Sequence, residues 1–247
     1  MMKRSKNSSQ KVIMTENSDF DNYLFKDRKE AYQALVEILP IKVMQHESWI
    51  LIALSSGAVE ITAKLAKRFG FKFDLLFTKS IAAPNNEECQ LAMVSETNDI
   101  VIEEKLVKSF GISFDYIYDE AERLFHEKLV KYQHRYRKGD ALYDLKDKNV
   151  LLIDEGCETG LNAMCALKSV INMGVRKVSL ATPIIPDDLY PIVDKKVDKI
   201  YAVHIIKDFI SVDYYFQDLP KVKSKELKEI LAECKNFLPN SKGEEKI

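Results

Sequence analysis

The sequence predicts an α/β protein, a parallel sheet flanked by helices. Three observations predict it. Apolar runs of strand length alternate along the chain with stretches of helical period. Several runs, such as "NVLLID" at 149–154, are apolar at consecutive positions, as strands covered on both faces are. Helical stretches close on glycine, at Gly70 and Gly174. Sheets of this kind take their ligands at the carboxyl ends of their strands.

The elements follow in order. "FKDRKEAYQALVEIL" (25–39) sets Phe25, Ala31, Leu35, Ile38 and Leu39 on one helical face. "WILIAL" (49–54) is strand-like, and "GAVEITAKLAKRFG" (57–70) has helical spacing with Gly70 as its stop. "FDLLFTK" (73–79) reads as one strand, and "SIAAPNNEE" (80–88) as a loop, since Pro84 and two asparagines interrupt any ladder. "LAMVSETNDIVI" (91–102) reads as one or two short strands. A long helix fits 113–137, with Phe114, Ile117, Ala121, Leu124, Phe125, Leu129 and Tyr132 inward. Strand 149–154, helix 161–174 and strands 177–185 and 199–206 complete the alternation. "SVDYYFQ" (211–217) reads as a further strand and 224–238 as a terminal helix capped by Ser224.

The 247 residues make one large domain, expected over 21–238, with polar tails without regular structure at 1–20 and 239–247. Apolar residues are 46 % and charged residues 30 %, ordinary values for a soluble globular chain. With 37 basic and 38 acidic residues, bulk charge does not suggest nucleic acid or a membrane surface as partner. Cys89, Cys157, Cys165 and Cys234 form no Cys-x-x-Cys pair, and the four histidines are scattered. That argues against structural zinc and for a reducing compartment. No apolar run has membrane-span length and the N-terminus lacks a signal-peptide core, so the expected location is the cytoplasm.

The chemistry concentrates in "LLIDEGCETGLNA" (151–163). Asp154 and Glu155 stand at a strand's carboxyl end, and "GCETG" opens a helix. Successive N–H groups at a helix start, freed by glycine, make an anion site. Thr159 and Asn162 add side-chain donors. The two acids cannot bind the same anion; they suit hydroxyls or a metal ion beside it. Phosphate on the loop and a sugar diol on the acids describe a ribose 5-phosphate. "LLIDE" also ends Walker B strands, but the chain has no G-x-x-x-x-G-K-[ST], and no G-x-G-x-x-G for a dinucleotide. The plain alternative is a strand–turn–helix with a solvated acidic turn.

"VLLIDEGCETG" resembles the PRPP (5-phosphoribosyl 1-diphosphate) signature of type I phosphoribosyltransferases: an apolar run, two acids, two variable positions, a small or acidic residue, then Thr-Gly-x-Thr. "LFKDRKEAYQAL", "FDLLFTKSIAAPNNEECQLAMV", "YRKG" and "YYFQDLPKV" are similar to segments of a bacterial predicted-phosphoribosyltransferase subgroup. Together they cover most of residues 23 to 231. The resemblance implies a small hood over the site, and displacement of pyrophosphate from PRPP by a nucleobase-like nitrogen nucleophile with Mg²⁺, in nucleotide metabolism. It also implies a homodimer.

By the same resemblance Asp154 and Glu155 hold the ribose hydroxyls and the metal, directly or through water. Gly156, Cys157, Thr159, Gly160, Leu161 and Asn162 cradle the 5-phosphate, with Asn162 standing for the last threonine. "LSSGAV" matches the pyrophosphate loop, but Ser55, Ser56 and Gly57 stand where Arg-Gly-Gly is usual. Lys79 matches a basic residue near the diphosphate, and Arg135 or Arg137 can compensate for the missing arginine. Glu158 is read in two ways: a general base at the nucleophile's N–H, or an acid favoured by the helix N-terminus.

Three further readings stay open. Loop N–H groups would lower the pKa of Cys157 and make it oxidation-prone, or it is only a small filler. Tyr214, Tyr215 and Phe216 stack on a base, or belong to the core. The basic stretch 126–139 is a solvated helix end, a diphosphate contact or an RNA surface. A non-catalytic PRPP- or nucleotide-sensing regulator on the same fold remains the alternative to an enzyme.

Overall fold

The computed structural model describes residues 13–15, 23–84 and 86–241. The chain runs β1 (Ile13–Thr15), α1 (Arg28–Ile38), α2 (Ile41–His46), β2 (Ile50–Ala53), α3 (Ser56–Phe69) and β3 (Lys72–Leu75). Next come β4 (Thr78–Ala83), β5 (Asn86–Ser95), β6 (Ile100–Ile102), α4 (Glu104–Ser109), α5 (Phe114–Leu124), a π-helical turn (Phe125–Leu129) and α6 (Val130–Arg137). The last part holds β7 (Asn149–Ile153), α7 (Leu161–Asn172), β8 (Lys177–Pro186), α8 (Tyr190–Asp194), β9 (Lys199–Ile206), α9 (Ser224–Glu233) and α10 (Leu238–Ser241).

Six parallel strands form the main sheet in the order β1-β9-β8-β7-β2-β3. The consecutive apolar positions of β2 and β7 have a simple cause. Leu51, Ala53, Leu151 and Ile153 enter the core on one face, under α1 and α3. Ile50, Ile52, Val150 and Leu152 enter the core on the other, against α7 and α8. A strand buried on both faces has no polar side to show.

Two short apolar segments divide differently from the expectation. "FDLLFTK" is not one strand. β3 ends at Leu75 in the main sheet, and from Thr78 the chain enters a separate antiparallel sheet, β4-β5-β6. The expected loop 80–88 is largely that sheet's hairpin, with Pro84 confined to its turn. This sheet, with α5 and α6, is the hood. The segment 211–217 is no strand but a 3₁₀ turn over Asp213–Tyr215. Helix α9 begins after Lys223; Ser224 lies inside it and does not cap it.

The N-terminal tail holds one regular piece, β1, which extends the sheet beside β9. Its other residues up to 22, like 242–247, lie outside the described residues. At the C-terminal end, α10 carries regular structure to Ser241. Phe237 bridges to Phe73 on the edge strand β3.

Candidate functional site

Strands β2 and β7 are neighbours, yet the chain leaves them in opposite directions: β2 leads through α3 to β3, and β7 through α7 to β8. Such a reversal opens a crevice beyond the carboxyl ends of the two strands. Their register pairs Ala53 with Ile153, so both strands end at one level. Leu54 N–H still donates to Ile153 C=O at 3.0 Å, and Asp154 N–H to Ala181 C=O at 3.1 Å. The loops 54–57 and 154–160 therefore start side by side. A cavity of about 670 Å³ lies over them, walled by both loops, by Lys79, Ser80 and Gln90 of the hood, and by Tyr132, Arg135 and Tyr136.

Asp154 is 5 % exposed and sits at the floor. It accepts hydrogen bonds from the Ser55 hydroxyl (3.1 Å) and the Glu155 N–H (2.9 Å). Burial, reinforced by the Glu155 charge, pushes its carboxyl up to about 7. Near neutral pH it can therefore meet a sugar hydroxyl as acceptor or as donor. Glu155 is turned differently. Its Oε2 accepts from Arg28 Nε at 2.8 Å, and its carboxylate lies where a Cβ at Gly57 would be. Gly57 leaves room for that approach.

The loop 156–160 turns into α7 at Gly160, whose φ is +75°. A Cβ there would also overlap Leu189. The turn brings the first N–H groups of a twelve-residue helix to the loop, the arrangement that favours an anion. Glu158 and Thr159 are exposed at the cavity wall. Thr159 Oγ1 accepts from Leu161 N–H at 3.4 Å.

Two expected loop donors are already engaged. Cys157 is buried and its N–H donates to Ile184 C=O at 3.0 Å. Its thiol pKa is raised, not lowered, because burial and then the Asp154 charge disfavour the thiolate; this corrects the reactive-cysteine reading. Asn162 works as a strut. Its amide donates to Leu54 C=O (3.0 Å) and accepts from the Thr78 hydroxyl (2.7 Å), tying α7 to the end of β2 and the start of β4.

Ser55 caps α3, accepting from Ala58 N–H at 3.1 Å, while Ser56 is exposed to the cavity. Lys79, on β4, lies 5.5 Å from the Tyr132 ring centroid. Arg135 reaches Ser224 Oγ at 3.4 Å and Tyr136 reaches it at 2.8 Å. The wall facing the two loops thus carries two cations and two phenols.

Arg137 is not part of that wall. It is 1 % exposed, pairs with Glu96, lies 3.8 Å from Asp74 and stacks over Phe77 at 4.6 Å. Its reading as a diphosphate contact is corrected: its charge is used in the interior. Tyr132 and Tyr136 pack on Phe77, at 5.8 and 5.7 Å between ring centroids, rather than forming an open stacking platform for RNA. Tyr215 and Phe216 are buried beside Phe25, so for these two the base-stacking reading gives way to a core role, while Tyr214 is half-buried and packs edge-on against Tyr215 at 5.1 Å between ring centroids. Their backbone matters more: Tyr215 C=O accepts from Leu24 N–H (2.8 Å) and Phe25 N–H (3.1 Å), fixing the entry to α1.

Among the described residues no three His, Cys, Asp or Glu side chains gather into a metal cage. Asp154 and Glu155 fit Mg²⁺ in its other mode, one or two carboxylates with ligand phosphate oxygens and water completing the shell. Arg28 is the site residue that the sequence reading missed. Its signal was present: a cation at the first position of a helix opposes the macrodipole and calls for an acidic partner.

No family model matches the chain. Two Mycobacterium tuberculosis proteins, provisionally named phosphoribosyl transferases Rv0571c (strain H37Rv) and MT0597 (strain CDC 1551), are each 25 % identical over 166 residues. The match covers 67 % of this chain and 37 % of each of theirs, so the chain spans little more than a third of those relatives. Among solved structures, TT1426 from Thermus thermophilus superposes with a TM-score of 0.67 at 26 % identity, over 85 % of this chain and 98 % of that one. With the signature loop at the reversal between β2 and β7, these likenesses agree with the resemblance: the chain has a type I phosphoribosyltransferase-like fold and is similar to proteins named phosphoribosyl transferases.

Proposed function

We propose that the protein is a phosphoribosyltransferase that transfers ribose 5-phosphate from PRPP to a nucleobase-like nitrogen nucleophile and releases pyrophosphate. The observation that carries this reading is the bond between the two loops: Ser55 Oγ donates to Asp154 at 3.1 Å beneath one 670 Å³ cavity. A phosphate cradle, a pair of acids for the diol and a second helix start for the diphosphate are thereby held within reach of one small ligand.

In this reading the start of α7 holds the 5-phosphate, and Asp154 and Glu155 hold the ribose hydroxyls. Lys79, Ser56 and Arg135 face the diphosphate and the acceptor. The new bond forms between the acceptor nitrogen and the ribose carbon that carries the diphosphate. The broken C–O bond leaves its electron pair on pyrophosphate, and the acceptor's proton passes to a base. We assign that role to Glu158, and its exposure at the cavity wall supports the assignment. Mg²⁺, held by Asp154 or Glu155 directly or through water, would supply charge neutralisation for the diphosphate. Four free thiols support a reducing, cytoplasmic setting.

A non-catalytic PRPP sensor is the second reading, and one observation favours it. The pyrophosphate loop has no guanidinium, and its Ser55 hydroxyl is engaged with Asp154 and Ala58. The deciding experiment has two parts. PRPP with Mg²⁺ should raise the melting temperature, by the equivalent of about 2.7 kcal/mol at 100 times its Kd. The double variant Asp154→Asn, Glu155→Gln should abolish the shift while remaining folded. Pyrophosphate release across a panel of purines, pyrimidines and simple nitrogen nucleophiles then separates enzyme from sensor. No melting shift at millimolar PRPP would remove both readings.

A further inference from the structure

We infer that Arg28 is a positioning residue that presents Glu155 to the ribose diol of a phosphoribosyl ligand. The inference rests on the ribose-phosphate reading of the site and assigns a function to a residue of α1, outside both loops.

The geometry is specific. Arg28 is 6 % exposed, although it carries a full charge. Asp27 caps α1 by accepting from Glu30 N–H at 2.9 Å, which makes Arg28 the first helical residue. The macrodipole disfavours a cation there, and burial disfavours it further. The compensating partner is Glu155, at 2.8 Å from Nε. Glu60 lies farther off, 4.0 Å from the Arg28 guanidinium, and its other oxygen is held by Lys64 at 2.6 Å.

Arg28 is itself held in place. Leu24 and Phe25 donate to Tyr215 C=O, and Gln217 N–H donates to Phe25 C=O at 2.9 Å. The 3₁₀ segment thus sets the start of α1. On the other side, the glycine at position 57 admits the Glu155 carboxylate. Oε2 is taken by Arg28, while Oε1 accepts no protein hydrogen bond among the described residues. One oxygen is fixed so that the other keeps a single direction, with the residue lining the cavity. A planar guanidinium suits that task better than an ammonium, because its fork fixes the partner's orientation.

The test uses the full chain and three ligands, with Kd measured by calorimetry: PRPP with MgCl₂, and ribose 5-phosphate and inorganic pyrophosphate in EDTA, so that no metal couples the diphosphate to Glu155. Arg28→Met removes the charge and keeps the bulk. It should weaken PRPP and ribose 5-phosphate by the same factor, about 10- to 100-fold, and leave pyrophosphate unchanged. Arg28→Lys should recover part of the loss. In a Glu155→Gln background Arg28→Met should add little, since the two residues act as one unit. If Arg28→Met does not fold, Arg28→Lys and Glu155→Gln give the same ligand pattern from either end of the pair.

A merely structural arginine would weaken all three ligands together. An arginine that touches the diphosphate itself would weaken PRPP and pyrophosphate and spare ribose 5-phosphate. Either pattern overturns the inference, as does undisturbed binding in Arg28→Met. Wild-type protein that binds neither PRPP nor ribose 5-phosphate would instead overturn the ribose-phosphate reading, and this inference with it.

Discussion

Arg28 Nε lies 2.8 Å from Glu155 Oε2 across 127 positions of sequence, and the same carboxylate fills the space that a side chain at Gly57 would need. Three segments meet there: α1, the loop after β2 and the loop after β7. Gly57→Ala tests the junction without touching either charge. The added methyl overlaps the end of a flexible side chain, so Glu155 must swing aside and leave the buried Arg28 without its partner. Replacing glycine within a helix by alanine gains about 0.5–1 kcal/mol, which offsets only a small part of the roughly 3–5 kcal/mol lost with a buried ion pair. The expected outcome is a lowered melting temperature in a chain that still folds, with ribose 5-phosphate affinity strongly reduced. Unaltered affinity would show that the Glu155 orientation is immaterial to binding.

Ser56 is the place to introduce the cation that the resemblance leads one to expect in the loop 54–57. Ser55 is a poor choice, because its hydroxyl caps α3 and bonds Asp154; losing the cap alone costs about 1 kcal/mol. Ser56 is exposed to the cavity and makes no cap. Ser56→Arg should tighten PRPP and pyrophosphate by charge-assisted hydrogen bonds, worth roughly 1.5–3 kcal/mol where water is excluded, and leave ribose 5-phosphate nearly unchanged. Equal gains for all three ligands would mean that the loop 54–57 does not receive the diphosphate.

Asp74, Glu96 and Arg137 form a buried set with one more carboxyl than cation. Burial pushes Asp74 up from 3.8 to about 6, against the opposing pull of Arg137. Between pH ~4 and ~6 the folded chain therefore holds a proton that the unfolded chain has released. Asp74 thus contributes stability that is fully present below about pH 4 and lost as pH rises through about 6. A displacement of about two pH units corresponds to about 3 kcal/mol. Denaturant unfolding from pH 4 to 7 should show wild type losing stability relative to Asp74→Asn by about that amount. Parallel curves would mean that Asp74 titrates normally.

The parts of the fold legible in the sequence were those whose burial leaves no ambiguity. β2 and β7 face apolar cores on both sides, so their runs are continuous, and α3 ends at Gly70 as its spacing implies. The split between β3 and β4 was hidden because Leu76 and Phe77 keep the run apolar while the chain changes sheets; hydropathy reports burial and not the partner. Arg137 read as one more cation on a solvated helix end, since its two acidic neighbours stand 41 and 63 positions away. Asp154 and Glu155 were legible as a pair, because neighbouring acids at a strand end need a reason. Their division of labour was not: it depends on Ser55 and Arg28, which only the folded chain brings to them.

Glu158 separates enzyme from sensor. It is exposed at the cavity wall, two residues before the Gly160 turn into α7, where a carboxylate can reach an acceptor or simply favour the helix start. A base that acts only while the nucleophile loses its proton contributes to the transition state and not to PRPP binding. Glu158→Gln keeps the size and removes the proton acceptor. In an enzyme that uses this base, turnover should fall by about 10²–10⁴ while the PRPP-induced melting shift survives. A carboxylate serving the helix start alone contributes only about 0.3–1 kcal/mol, so its loss would lower the melting temperature slightly and spare turnover. Pyrophosphate release that is undiminished in Glu158→Gln would therefore sink the base assignment and keep the enzyme. Release absent from wild type across the whole acceptor panel, alongside a clear PRPP shift, would establish the sensor, in which Glu158→Gln has no turnover to change.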